Sequence, residues 1–124
     1  MKFDTNKDKG RAGLSAAIGY FGTKGYTVSV PLNDTQDYDL IIDDGTKLYK
    51  VSCKATGQKT AYGVSVVSLR NMGGTKGDVY GRECDKSIDF VFVLNEEGEQ
   101  WLLPKEVLTT NSINLGKDYI QYKL

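Results

Sequence analysis

The stretch YDLIIDDGTKLYKVSCKAT, residues 38–56, does most to limit what this chain can become. Two runs rich in Val, Ile, Leu and Tyr flank Asp-Asp-Gly-Thr, and a glycine-bearing polar turn between two β-favouring runs signals a hairpin. Side chains alternate across a strand, so Lys50, Ser52 and Lys54 fall on one face while Tyr49, Val51 and Cys53 fall on the other. If the turn at Asp44-Gly45 pairs Asp43 with Thr46, Asp39 stands opposite Lys50 and diagonal to Ser52. One carboxylate, one hydroxyl and two ammonium groups then share a face. A solvated hairpin surface with one Asp–Lys pair, worth less than roughly 1 kcal/mol, fits the same pattern.

Upstream, Leu14, Ala17, Ile18 and Phe21 recur at helical spacing, which predicts a helix from about Lys9 to Lys24 with Gly25 at its C-terminal cap. Residues 26–30 read as a strand that ends before Pro31, and residues 62–69 as another. The run 70–87, with four glycines, reads as a long surface loop. IDFVFVL at 88–94 is the most apolar strand and pairs through EEGE with QWLLP at 100–104, while the tail from Ser112 closes with an edge strand. A helix followed by strands predicts an α+β or mixed α/β domain, one central sheet flanked by an N-terminal helix, over residues 1–124.

Composition excludes several chemistries. There is no histidine, which removes imidazole acid–base catalysis, the Ser-His and Cys-His nucleophile pairs and most transition-metal sites. Cys53 and Cys84 without histidines make no zinc site and are expected to stay reduced thiols. No run approaches the roughly 18 apolar residues of a membrane span, and the N-terminus lacks a signal-peptide core, so a cytoplasmic protein without membrane contact is expected. GGTKG at 73–77 lacks the Gly-Lys-Ser/Thr ending of a phosphate-binding loop.

Charge balances overall, but residues 1–86 carry 13 Lys/Arg against 10 Asp/Glu and residues 87–124 carry 3 against 6. The front half therefore holds the phosphate-contact candidates Lys7, Lys9, Arg11, Lys59, Arg70, Lys76 and Arg82. Eight tyrosines offer either buried rings or stacking surfaces for bases.

In order, KGRAGLSAAIGYFGTKGYTVSVP, YDLII, KLYKVSCKATG, IDFVFVL and QWLLPKEV resemble the PD-(D/E)XK nuclease superfamily, nearest its small homing-endonuclease and resolvase-like members. The resemblance spans residues 8–109 and implies a restriction-endonuclease-like core that binds double-stranded DNA. It implies Asp39 as a ligand of Mg2+, a hard cation that takes about six oxygens, and Lys54 as the lysine that orients the attacking water or steadies the phosphate charge. A unit this small spans part of a recognition site, so a homodimer or higher oligomer is expected.

Two positions depart from that family's pattern. Ser52 stands where an acid usually precedes the lysine by two, and Leu14 stands where the helix usually carries Glu. Three functions follow: a DNA-binding protein with a degenerate site, an active Mg2+-dependent endonuclease with a displaced acid from among Asp8, Asp37, Glu83 and Asp85, or an inhibitor that binds another nuclease or defence complex.

Overall fold

Helix α1 (Asn6–Thr23) begins three residues earlier than its apolar spacing indicates. The cause is a reciprocal capping box: the Asp8 N–H donates to the Thr5 hydroxyl at 3.0 Å, and the Thr5 N–H donates to the Asp8 carboxylate at 3.2 Å. At the other end Lys24 bonds back to Tyr20 and Phe21, and Gly25, at φ 90°, turns the chain away as expected. The computed structural model describes residues 1–33, 36–72, 79–82 and 87–124, with side chains for 1–33, 36–69 and 87–124.

The buried line of α1 is Gly13, Ala17 and Phe21. This corrects the expected stripe, since Ile18 is exposed and Leu14 is only half-buried. A pattern that counts apolar side chains passes over glycine, yet glycine lets the helix settle on the sheet. A Cβ on Gly13 would lie 3.2 Å from the Lys54 carbonyl carbon and 3.3 Å from its oxygen.

That sheet has the order β1–β2–β3–β7–β8, formed by Thr27–Ser29, Leu40–Asp43, Leu48–Thr56, Phe90–Asn95 and Gln100–Pro104. All neighbours are antiparallel except β3 and β7, so the sheet is mixed, as the sequence predicts. Strand β7 lies inside it and is buried on both faces, hence its unbroken apolar run. Phe92 and Leu94 pack with Ala17, Phe21, Leu40 and Val51 under α1. Val91 and Val93 face the second cluster with Val67, Trp101, Leu103, Leu108 and Ile113. A fully buried Phe or Leu contributes about 1.5–3 kcal/mol.

The β2–β3 hairpin pairs Asp43 with Leu48 and Ile41 with Lys50, so the expected Asp39–Lys50 pairing is corrected by a two-residue slip. The turn is four residues long because two aspartates cap it. Asp43 accepts the Gly45 N–H, and Asp44 accepts the Thr46 and Lys47 N–H groups, each at 2.8 Å. Those donors, Lys47 foremost, hold the Asp44 carboxyl below its ordinary pKa. A slip of two leaves every side chain on its face.

Beyond β3, the expected strand at 62–69 shrinks to β4 (Val66–Ser68), preceded by a tight turn. The predicted loop 70–87 instead contains an antiparallel pair, β5 (Arg70–Met72) with β6 (Val79–Arg82). Short strands of mixed polarity carry too little alternation to stand out from a glycine-rich loop. The tail supplies β9 (Ser112–Asn114), which pairs with β4 in its own two-stranded sheet and does not edge the central one, then a 3-10 helix over Lys117–Tyr122. The edge of β8 is met by the last residues: Trp101 bridges Lys123, and the Leu124 N–H donates to Gln100 at 2.8 Å. Among the described residues no helix is long and apolar enough to cross a membrane.

Asn95, 1% exposed, ties the β7–β8 turn together. Its amide donates to Ser65 and Glu99 at 3.0 and 2.8 Å, and its oxygen accepts the Glu97 and Glu99 N–H groups. Glu99 is held below the usual carboxylate range first by Lys123 and then by Asn95.

Replacing Gly13 with Val should drive the helix off β3 and cost about 1–3 kcal/mol, read as a lower midpoint in urea unfolding. Because the folded pKa of Glu99 is depressed, its ionised form stabilises the fold above the ordinary value of 4.5, and that contribution disappears as pH falls through the folded value. Glu99→Gln should therefore melt below the wild type at neutral pH, and the two melting curves should converge as the solution is acidified past 4.5.

Candidate active site

Asp39 sits where the chain enters β2, and it is tied to the central strand on both sides of Ser52. Its N–H donates to the Val51 carbonyl at 2.9 Å, and its Oδ2 accepts the Cys53 N–H at 2.6 Å. The corrected register thus sets Asp39 beside Ser52 rather than across from Lys50. Ser52 is 4% exposed. Lys54, half-buried, lies two residues further along the same face of β3, and its main chain is the surface on which Gly13 rests.

Lys50 points elsewhere. Its Nζ lies 3.4 Å from the Ser87 hydroxyl and 5.4 Å from the Tyr38 ring centre, while its N–H donates to the Asp89 carboxylate at 2.9 Å. Asp89 in turn donates its own N–H to the Lys50 carbonyl at 2.8 Å, which fixes the start of β7 against β3.

Because Gly13 faces the sheet, the next helix residue is turned sideways toward the start of β2. Leu14 and Asp39 line one open cleft of about 570 Å3, with Val30, Pro31, Leu32 and Tyr38 in its walls. Asp39 is the one carboxylate among its described lining residues. The pairing of Leu14 with Asp39 follows from the helix placement, whereas nothing in the hydropathy of 30–32 marks those residues as a cleft wall. The signal that was available is Pro31, which ends the strand and sends the chain outward.

A hard divalent cation is held by several carboxylate, carbonyl and water oxygens. Among the described residues, the positions facing the cleft and the strand offer one carboxylate already engaged by a main-chain donor, an alkyl side chain and a buried hydroxyl. No group of three Asp, Glu, His or Cys stands together among the described residues. This donor set does not fit a conventional magnesium site. Glu83 and Asp85, two of the acids considered as replacements, lie outside the described residues, as does Cys84. Asp37 is exposed on the approach to Asp39, and Asp8 is engaged in the helix cap and with Arg11.

The basic candidates fall into two groups. Lys7, Lys9 and Arg11 occupy the first two turns of α1, and Arg11 is paired with Asp8 at 2.8 Å. Lys59, past the end of β3, is paired with Glu97 at 2.7 Å. Arg70 and Arg82 stand opposite one another in the β5–β6 register, and Lys76 lies outside the described residues.

The solved bacterial homing endonuclease I-Ssp6803I superposes with a TM-score of 0.79 and 26% identity, over 96% of this chain and 88% of that one. MepB shares the fold, with a TM-score of 0.51 and 13% identity over 89% of this chain and 94% of its own. No curated protein matches the sequence. The PD-(D/E)XK endonuclease family, by contrast, matches residues 4–119. With helix, hairpin and parallel β3–β7 pair in the arrangement of a restriction-endonuclease-like core, the chain belongs to the PD-(D/E)XK endonuclease family.

Proposed function

We propose that this chain is a DNA-binding protein of the PD-(D/E)XK fold in which the hydrolytic site has lost two of its usual acids. One observation carries the reading: Leu14, an alkyl side chain, shares a cleft with Asp39, the one carboxylate among the described lining residues. Ser52, the other position where an acid would be expected, is closed off from solvent. Duplex DNA then lies across the start of α1 and the end of β3, where Lys7, Lys9, Arg11 and Lys59 are positioned to meet phosphates, with Arg70, Lys76 and Arg82 adding contacts from the next segment. Arg11 and Lys59 each exchange a surface ion pair for a phosphate, a small cost because exposed pairs contribute about 0.2–1 kcal/mol. The protein acts as a single domain, in the cytoplasm, as a homodimer or larger homo-oligomer.

A second reading is an active, Mg2+-dependent endonuclease. It is favoured by Asp39, which β3 holds rigidly, and by Lys54, two residues past Ser52 on the same face. In that case a carboxylate from outside the cleft completes the site.

Supercoiled plasmid incubated with the protein and magnesium or manganese separates the two. The first reading expects no cleavage, together with duplex binding whose logarithm falls linearly with the logarithm of salt concentration. Nicking that disappears in Asp39→Ala and Lys54→Ala would establish the second. Absence of both cleavage and binding would leave the inhibitor, with a protein partner, in their place.

Ser52→Glu places a carboxylate in a buried position and should cost about 1–3 kcal/mol of stability in chelator. Paired with Leu14→Glu, the variant should regain part of that loss when magnesium or manganese is added, since binding to the folded state alone raises the melting point. The wild type should show no such rise, and equal response in both proteins would mean that the added acids do not face a common site.

A further inference from the structure

Lys7, Arg11 and Leu14 are spaced by four and three residues, so they follow one another along a single face of α1. Lys7 and Arg11 are exposed, and Leu14 is where this cationic stripe runs into the cleft that also holds Asp39. A polyanion laid along the stripe reaches the mouth of that cleft.

A second source of positive charge stands behind the opposite wall. Tyr38 lines the cleft, and the Lys50 ammonium lies 5.4 Å from the Tyr38 ring centre and 3.4 Å from the Ser87 hydroxyl. The ring attracts the ammonium through its quadrupole and brings no counter-ion. Lys54, half-buried, follows on the same strand face two residues past Ser52. Three carboxylates stand nearby. The Asp39 Oδ2 accepts the Cys53 N–H at 2.6 Å, the Asp89 carboxylate accepts the Lys50 N–H at 2.9 Å, and Asp37 is exposed to solvent.

Acids at positions 14 and 52 together with Asp39 would make this edge repel a phosphate until a divalent cation came between them. Leu14 and Ser52 carry no charge. Relative to a site with all three acids, two negative charges are missing, which is the change in charge that one bound Mg2+ would bring. The donor set that fits magnesium poorly is, for the same reason, one that a phosphate can approach unaided.

We propose that this cleft takes a duplex phosphate directly, with no divalent cation between, and that Asp39 opposes this binding instead of supporting it through a metal. Lys50 and Lys54 supply the attraction. The proposal rests on the DNA-binding reading above and names the ligand of the same cleft.

Binding of a fluorescent mixed-sequence duplex to the full chain tests it, at fixed ionic strength in chelator, in Mg2+ and in Ca2+, which also takes oxygen ligands. The wild type should bind equally in all three. Asp39→Asn removes a like charge beside the phosphate and should tighten binding about three- to tenfold in chelator. Its amide oxygen can still accept the Cys53 N–H, and circular dichroism melts check that the variants fold. Lys50→Ala should weaken binding and make the log–log salt dependence shallower by about 0.9. Leu14→Glu, at a half-buried position on the cleft, should weaken binding in chelator and recover it in Mg2+ or Ca2+. Tightening of the wild type by either cation, or weaker binding by Asp39→Asn, overturns the proposal and leaves the DNA-binding reading standing, with a metal site completed by another acid. Binding unchanged in both Asp39→Asn and Lys50→Ala overturns it too, by placing the duplex elsewhere on the chain. A wild type that binds no duplex in any of the three conditions overturns the DNA-binding reading itself.

Discussion

The close approach of α1 to β3 at Gly13 is the contact on which the site depends. A helix packed through ordinary apolar side chains stands well off a sheet, whereas the missing Cβ at Gly13 lets helix and strand main chains meet beside Lys54 and Ala55. Everything near the cleft follows from that distance. Successive helix residues are rotated by roughly 100°, so a Gly13 that points into the sheet leaves Leu14 pointing past its edge toward Asp39. Ala17 and Phe21 continue the same line and bury the rest of the helix against Phe92 and Leu40.

Asp39 is positioned by a different logic. Its carboxylate completes the hydrogen bonding of β3 ahead of the point where β2 begins, so the side chain behaves as one more rung of the ladder. A group held in this way takes its orientation from the strand it is bonded to. The surroundings of the carboxylate are mostly apolar or closed. Leu14 makes the facing wall apolar, and the Ser52 hydroxyl is shut in by the second core cluster's side of the sheet.

The apolar run at 88–94, the hairpins and the family order were readable because period-two alternation and glycine turns are local signals. Thr5 and Asp8 have the spacing of a capping box, a local signal for where the helix starts. The hairpin register was not readable from Asp44-Gly45 alone, because two aspartate side chains, rather than the glycine, decide how many residues the turn contains. Spacing sets Leu14 on one apolar stripe with Phe21, but burial follows Gly13, which hydropathy ignores. The β5–β6 pair was hidden in a segment whose composition favours loops.

The aspartate-capped turn has one more consequence. Since it sets the number of residues between β2 and β3, it acts as a ruler for Asp39, about 13 Å away along the strand. Inserting or deleting two residues there would carry the carboxylate to another rung but keep it on the same side of the sheet. A change of one residue would turn it to the helix side. The length of this turn can therefore change only by even steps if the aspartate is to stay in its cleft.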